Sequence, residues 1–241
     1  MPYHQQSRVL MNVSWITSFW VYALALPIAV FFYFQVPEIR VEKQFQTAKE
    51  KMNPAVYALV LFAILLVMNS IAIFVRFSSI ATELMGESFN ASNYLALMPL
   101  LGIAAGFAFG FVNKLCGKFT LYLGIVCFIT SNLLIAMSGS SFWLLVAGLF
   151  LSSIPGSWCF PYIFSNLDTL TTKNTVTLAI SLIFIGCNIG NFIAPLAMSA
   201  MQFMTGSNAL TAPFYIFAGI LVAVLIVLVV VNRKAAGAAA D

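Results

Sequence analysis

Apolar residues in this chain fall into seven long runs separated by short polar links. A helix crossing a hydrocarbon core of roughly 30 Å needs about 20 mostly apolar residues. Seven stretches meet that length: Val13–Phe34, Pro54–Phe77, Asn93–Val112, Phe119–Met137, Phe142–Phe164, Thr175–Met201 and Ala209–Val231. Several links carry breakers or polar clusters, such as Met137-Ser-Gly-Ser-Ser141 and Thr205-Gly-Ser-Asn208. They leave no room for a soluble domain. The first run is too long for a signal peptide and has no small-residue cleavage pattern before Val36-Pro37-Glu38, so it reads as a membrane anchor. The expected fold is all-α: a polytopic membrane helix bundle of seven transmembrane helices.

Composition agrees with this pattern. Hydrophobic residues make up 62% of the chain and charged residues 7%, too few to cover a soluble surface. The net charge of +4 therefore reports on membrane topology, and nucleic acid is not an expected partner. Arg40, Lys43, Lys49 and Lys51 lie in the first link, Lys114 and Lys118 in the third, Lys173 in the fifth, and Arg233 and Lys234 after the last run. Nine of the eleven basic residues thus fall on one side of a single threading, with Arg8 and Arg76 as exceptions. Positive residues are retained in the cytoplasm on insertion. The expectation is a multi-pass cell-membrane protein with its amino terminus outside and its carboxy terminus cytoplasmic. Cys116, Cys127, Cys159 and Cys187 have no Cys-x-x-Cys spacing, and His4 is the lone histidine, so neither a metal site nor any other cofactor is expected.

The second to seventh runs form a six-helix set of two triplets with opposite orientations. The third run carries Gly102-x-x-x-Gly106-x-x-x-Gly110, and its counterpart, the sixth, carries Gly186-x-x-x-Gly190-x-x-x-Ala194. Residues four apart share a helix face, so each stripe allows a neighbouring backbone to come close. Small stripes on corresponding helices suggest an inverted repeat, although ordinary packing produces them too.

Two segments carry a family resemblance. Trp15-Ile-Thr-Ser-Phe19-Trp20-Val-Tyr22, leading to Pro37-Glu38, resembles the sixth helix and central linker of major facilitator superfamily (MFS) transporters. Gly110-Phe-Val-Asn113-Lys114-Leu-Cys-Gly117-Lys118 is similar to that family's Gly-x-x-x-Asp-Arg-x-Gly-Arg cytoplasmic loop, with different spacing and with Asn113 in place of the acid. The resemblance implies an MFS-like six-helix half plus one extra helix, corresponding to family helices six to twelve, with the first five absent. The domains expected are residues 1–36 (tail and extra helix), 37–53 (cytoplasmic linker), 54–234 (six-helix bundle) and 235–241 (cytoplasmic tail). The partners implied are the lipid bilayer, an unknown small-molecule substrate, and a missing amino-terminal half or a second copy.

In that family the substrate crosses a central cavity lined by helices equivalent to the second and fifth runs here. Asn69 and Arg76 lie seven residues apart on one face of the second run. An intramembrane arginine suggests an anionic substrate or a gate partner. It also fits a side chain snorkelling to the interface, about 33 Å along the helix from Pro54. In the fifth run, Ser152-Ser153-Ile154-Pro155 and then Pro161 must interrupt backbone hydrogen bonding at least once, and a bend is expected there, either beside a binding site or as a packing kink with no ligand. Trp158 offers either a flat face to substrate or a packing contact. In the sixth run, Ser181, Asn188 and Asn191 make one polar stripe, suited to binding substrate or to stapling helices together. The cavity candidates are thus Asn69, Arg76, Ser153, Trp158, Asn188 and Asn191. No acid lies well inside a run, which argues against coupling through an intramembrane carboxylate.

An enzyme is not expected, because no serine has an intramembrane His, Asp or Glu beside it. A retinal pigment would need a lysine within Ala209–Val231, and none is there. Two functions remain: solute transport by alternating access within an MFS-type secondary transporter, drug or metabolite efflux included, or a non-transporting membrane scaffold or truncated gene product. Transport needs two bundles rocking about a shared site, so the expectation is that this chain alone does not transport.

Overall fold

The computed structural model describes residues 22–23, 25–35, 51–117 and 119–238. The chain divides into two units, residues 1–47 and 48–241, which are described separately. In the first, α1 (Ala25–Gln35) is an apolar helix with no buried residue. It covers the end of the expected first span. Residues 13–21 of that span, and the expected linker as far as residue 50, lie outside the described residues.

The second unit is helical throughout its described length, apart from its turns. It contains α2 (Pro54–Met85), α3 (Ser92–Cys116), α4 (Phe119–Ala136), α5 (Phe142–Leu151), α6 (Ser153–Leu170), α7 (Val176–Thr205) and α8 (Pro213–Ala238), with a short 3₁₀ turn at Ser138–Ser140. Taken with α5 and α6 as one stretch, six of these helical stretches are long and apolar enough to cross a bilayer. The protein is a multi-pass membrane protein with a helical bundle.

Local chemistry sets the helix ends. Asn53 caps α2 by accepting a hydrogen bond from the Ala55 amide at 3.0 Å, and Pro54 follows at a position where its missing N–H costs nothing. α2 runs to Met85, beyond the expected end at Phe77. Ser78, Ser79 and Thr82 lower the hydropathy there, but Ile80 and Ala81 are buried and no breaker comes before Gly86, at φ +90°. α3 likewise continues past Val112 to Cys116, and the Gly117 amide bonds the Asn113 carbonyl at 2.8 Å. The motif Gly110–Lys118 is therefore not a loop. Gly110, Asn113 and Lys114 ride on α3, Gly117 makes the turn, and Lys118 lies outside the described residues. α8 starts at Pro213, after Ala209, because the Gln202 amide donates to the carbonyls of Ser207 and Ala209 and holds that stretch as a turn. At its far end α8 continues through Ala238, into the expected cytoplasmic tail.

The most extensive helix pairing is between α2 and α7. A Cβ added to Gly190 would stand 2.7 Å from the Ile64 carbonyl oxygen, and one on Gly186 would stand 2.9 Å from Val60 Cγ1. These glycines let two backbones touch where lipid offers little hydrophobic drive. The rising order on both helices means that they run parallel. The stripe on α3 behaves differently: Gly102 faces Ser157 of α6, while Gly106 and Gly110 have open space around them.

Numbered as spans one to six, the bundle pairs one with five (α2 with α7), two with four (α3 with α6) and three with six (α4 with α8). Exchanging the two triplets maps the first pair onto the second and the third onto itself, as inverted repeats require. The extensive contact of α4 with α5 and α6 has no comparable counterpart between α8 and α2. One end of the bundle carries Lys51, Lys114, Lys173 and Arg233, and the other carries Glu83 and Glu87. An aromatic cluster of Phe77, Phe89, Tyr94 and Phe142 lies toward the acidic end, with ring centroids 5.0–6.3 Å apart.

Candidate functional site

The fourth span is interrupted at one residue, Ser152, whose backbone stays helical, and it runs on through Pro161 without a second interruption. α5 ends at Leu151, Ser152 forms the joint, and α6 begins at Ser153. Pro155 has no N–H to offer the Leu151 carbonyl, so the hydrogen-bond ladder cannot run through. The Ser152 hydroxyl turns back to the Leu149 carbonyl at 2.6 Å. The Ser153 Oγ is buried and has no hydrogen-bond partner among the described residues.

Trp158 takes the packing role. Its Nε1 donates to the Ala105 carbonyl at 2.9 Å, and the neighbouring Ser157 hydroxyl donates to the Gly102 carbonyl at 2.7 Å. Consecutive side chains on α6 thus hold α3 at two carbonyls about one turn apart. Sequence reading did not single out Ser157 as a partner in this clamp. It also missed a second clamp, the Ser131 hydroxyl on the Gly148 carbonyl at 2.7 Å, which ties α4 to α5.

Asn69 is fully buried, and neither its Nδ2 nor its Oδ1 has a partner among the described residues. Gly190, near the middle of α7, lies against Ile64, Val67 and Met68, so this level of α2 is close to the centre of the bundle. Asn69 is only a few ångströms beyond it. A buried amide left unpaired costs about 1–3 kcal/mol.

Arg76 lies roughly 14 Å beyond the Ile64–Met68 level, near the edge of a hydrocarbon core about 30 Å thick. It is not at the helix end, because α2 continues to Met85. Arg76 lines a cavity of about 160 Å³ between α2 and α7, with Ile71, Ala72, Val75, Ala194, Pro195, Met198 and Ser199. Among the described residues no carboxylate pairs with it.

The surface of α7 away from α2 carries two adjoining strips. At 100° per residue, Ile185, Ile189, Phe192 and Leu196 form one, exposed and apolar. Ser181, Asn188, Pro195 and Ser199 form the other, directly beside Phe192, and Asn191 stands beyond them toward α2. All five are exposed. The Asn188 amide donates to its own helix at the Phe184 carbonyl, 2.9 Å away, and Ser181 does the same to Thr177. The stripe therefore staples no other described helix. Pro195 and Ser199 extend it to the Arg76 cavity, a continuation that the spacing of Ser181, Asn188 and Ser199 already carries in the sequence.

The structure thus brings Arg76 together with Pro195 and Ser199 at one end of the α7 stripe, leaves Asn188 and Asn191 outside that cavity, gives Trp158 to helix packing, and leaves Asn69 and Ser153 as buried polar groups in different spans. Cys116, Cys127, Cys159 and Cys187 are free thiols. No family model, curated protein or solved structure matches this chain.

Proposed function

We propose that this bundle is half of an MFS-type secondary transporter and moves a small solute by alternating access, working against a second bundle. The observation that carries this reading is the divided surface of α7. Lipid solvates the Ile185, Ile189, Phe192 and Leu196 face well, but exposed amides such as Asn188 and Asn191 are costly in hydrocarbon and belong against water or a polar partner. A solute pathway between two bundles supplies both. The broken fourth span supports the same reading, because transporters form their sites beside interrupted helices. The inverted pairing of the spans and the resemblance of Gly110–Lys118 to the MFS motif point the same way.

The reading predicts that the protein's own cells, where the second bundle is supplied, differ severalfold in their content of at least one small solute from the same cells carrying Asn188→Leu/Asn191→Leu at equal membrane abundance. Untargeted profiling of retained solutes makes the measurement. Identical profiles would contradict transport and leave the scaffold reading.

A further inference from the structure

We infer that the α2/α7 cavity is a binding site for a compact organic anion: a carboxylate held by Arg76 and an apolar body of about benzene size. The inference rests on the α7 face as a solute pathway and names the class of solute taken there.

Three observations support it. First, the charge is unmatched. Arg76 lies near the membrane boundary with no carboxylate partner among the described residues, and α7 contributes no acid anywhere along Val176–Thr205. A guanidinium presents a planar fork of donors that matches a carboxylate. Second, the rest of the wall is apolar apart from Ser199. Ile71, Ala72, Val75, Ala194 and Met198 would reject a bare hydrated ion such as inorganic phosphate but accept a hydrocarbon body attached to the anion. The volume of about 160 Å³ is close to that of apolar cavities that accept benzene. Third, the cavity has an approach. Pro195 and Ser199 belong to both its lining and the polar stripe that runs back through Asn188 to Ser181.

The cavity exists because packing changes along α7. Gly186 and Gly190 press the helices together at the middle of the bundle, whereas Ala194 and Pro195 follow where the glycines stop. The proline also withdraws the amide that would have paired with the Asn191 carbonyl, so this turn is held less tightly than the one before it.

Benzoate is the probe. Radiolabelled benzoate should bind the detergent-solubilised full chain saturably, with little competition from benzyl alcohol, benzylamine or inorganic phosphate. Arg76→Ala should weaken binding about tenfold or more, a change of about 1.4 kcal/mol, and Arg76→Lys should recover part of it. Ser199→Leu keeps the charge and fills the mouth from an exposed position, so it should also weaken binding while eluting and melting as the parent does. Unsaturable binding, equal competition by benzylamine, or full affinity in Arg76→Ala would overturn the inference. Binding of phosphatidylglycerol with none of benzoate would overturn it in favour of a lipid site. The pathway reading is checked separately by water access at position 188, so either claim can fail without the other.

Discussion

At the scale of single residues, one methyl group should distinguish the two glycine stripes. Gly190→Ala sets a Cβ 2.7 Å from a backbone oxygen on α2, and backbone cannot step aside as a flexible side chain can. It should destabilise the bundle by about 1–3 kcal/mol. Gly106→Ala adds the same atom to open space and should change stability by no more than about 0.5 kcal/mol. Thermal unfolding of both variants in one detergent checks the pair, and equal losses would contradict the packing described. The two stripes look alike in sequence, since spacing tells which residues share a face but not what that face meets. Trp158 has the same ambiguity: its ring suits a solute or a neighbouring helix, and only the Ala105 carbonyl at 2.9 Å decides. Asn69 and Arg76 were legible as polar residues in an apolar run. That Asn69 is fully buried and Arg76 lines a cavity depends on how α2 meets its neighbours.

At the scale of elements, the fourth span is where sequence and structure agree most directly, because proline acts through covalent structure and needs no tertiary partner. Pro155→Ala restores an amide opposite the Leu151 carbonyl and should let α5 and α6 join. Spin labels at the exposed positions 143 and 165, one in each half, should then move apart. An unchanged distance would mean that packing around Ser152, and not the proline, sets the break. Other boundaries were less legible. Hydropathy falls at Ser78, yet α2 continues to Met85 because Ile80 and Ala81 are still covered. The Gly110–Lys118 motif resembled a loop because its composition is polar and glycine-containing. α3 passes through most of it, with open space around Gly110, and turns only at Gly117.

At the scale of the molecule, the bundle has two chemically different ends and, on α7, two chemically different sides. The ends were readable from the sequence, because each short link must fall at one end or the other and Lys114, Lys173 and Arg233 all fall together. The sides of α7 were only half readable. Ser181, Asn188 and Asn191 announced a stripe, but whether it tied helices together or stood open depended on which face α2 occupied. Gly186 and Gly190 take that face and leave the amides outside. The central claim is that this open polar strip lines a water-filled pathway while the apolar strip adjoining it meets lipid. Asn188→Cys and Ile189→Cys, about 100° apart around the helix and each made in a chain whose four native cysteines have been replaced, test it directly in sealed membranes with a charged, membrane-impermeant thiol reagent. The account predicts reaction at position 188 at least about tenfold faster than at position 189, since only the first meets water where the thiolate forms. Equal rates, or faster reaction at position 189, would contradict it.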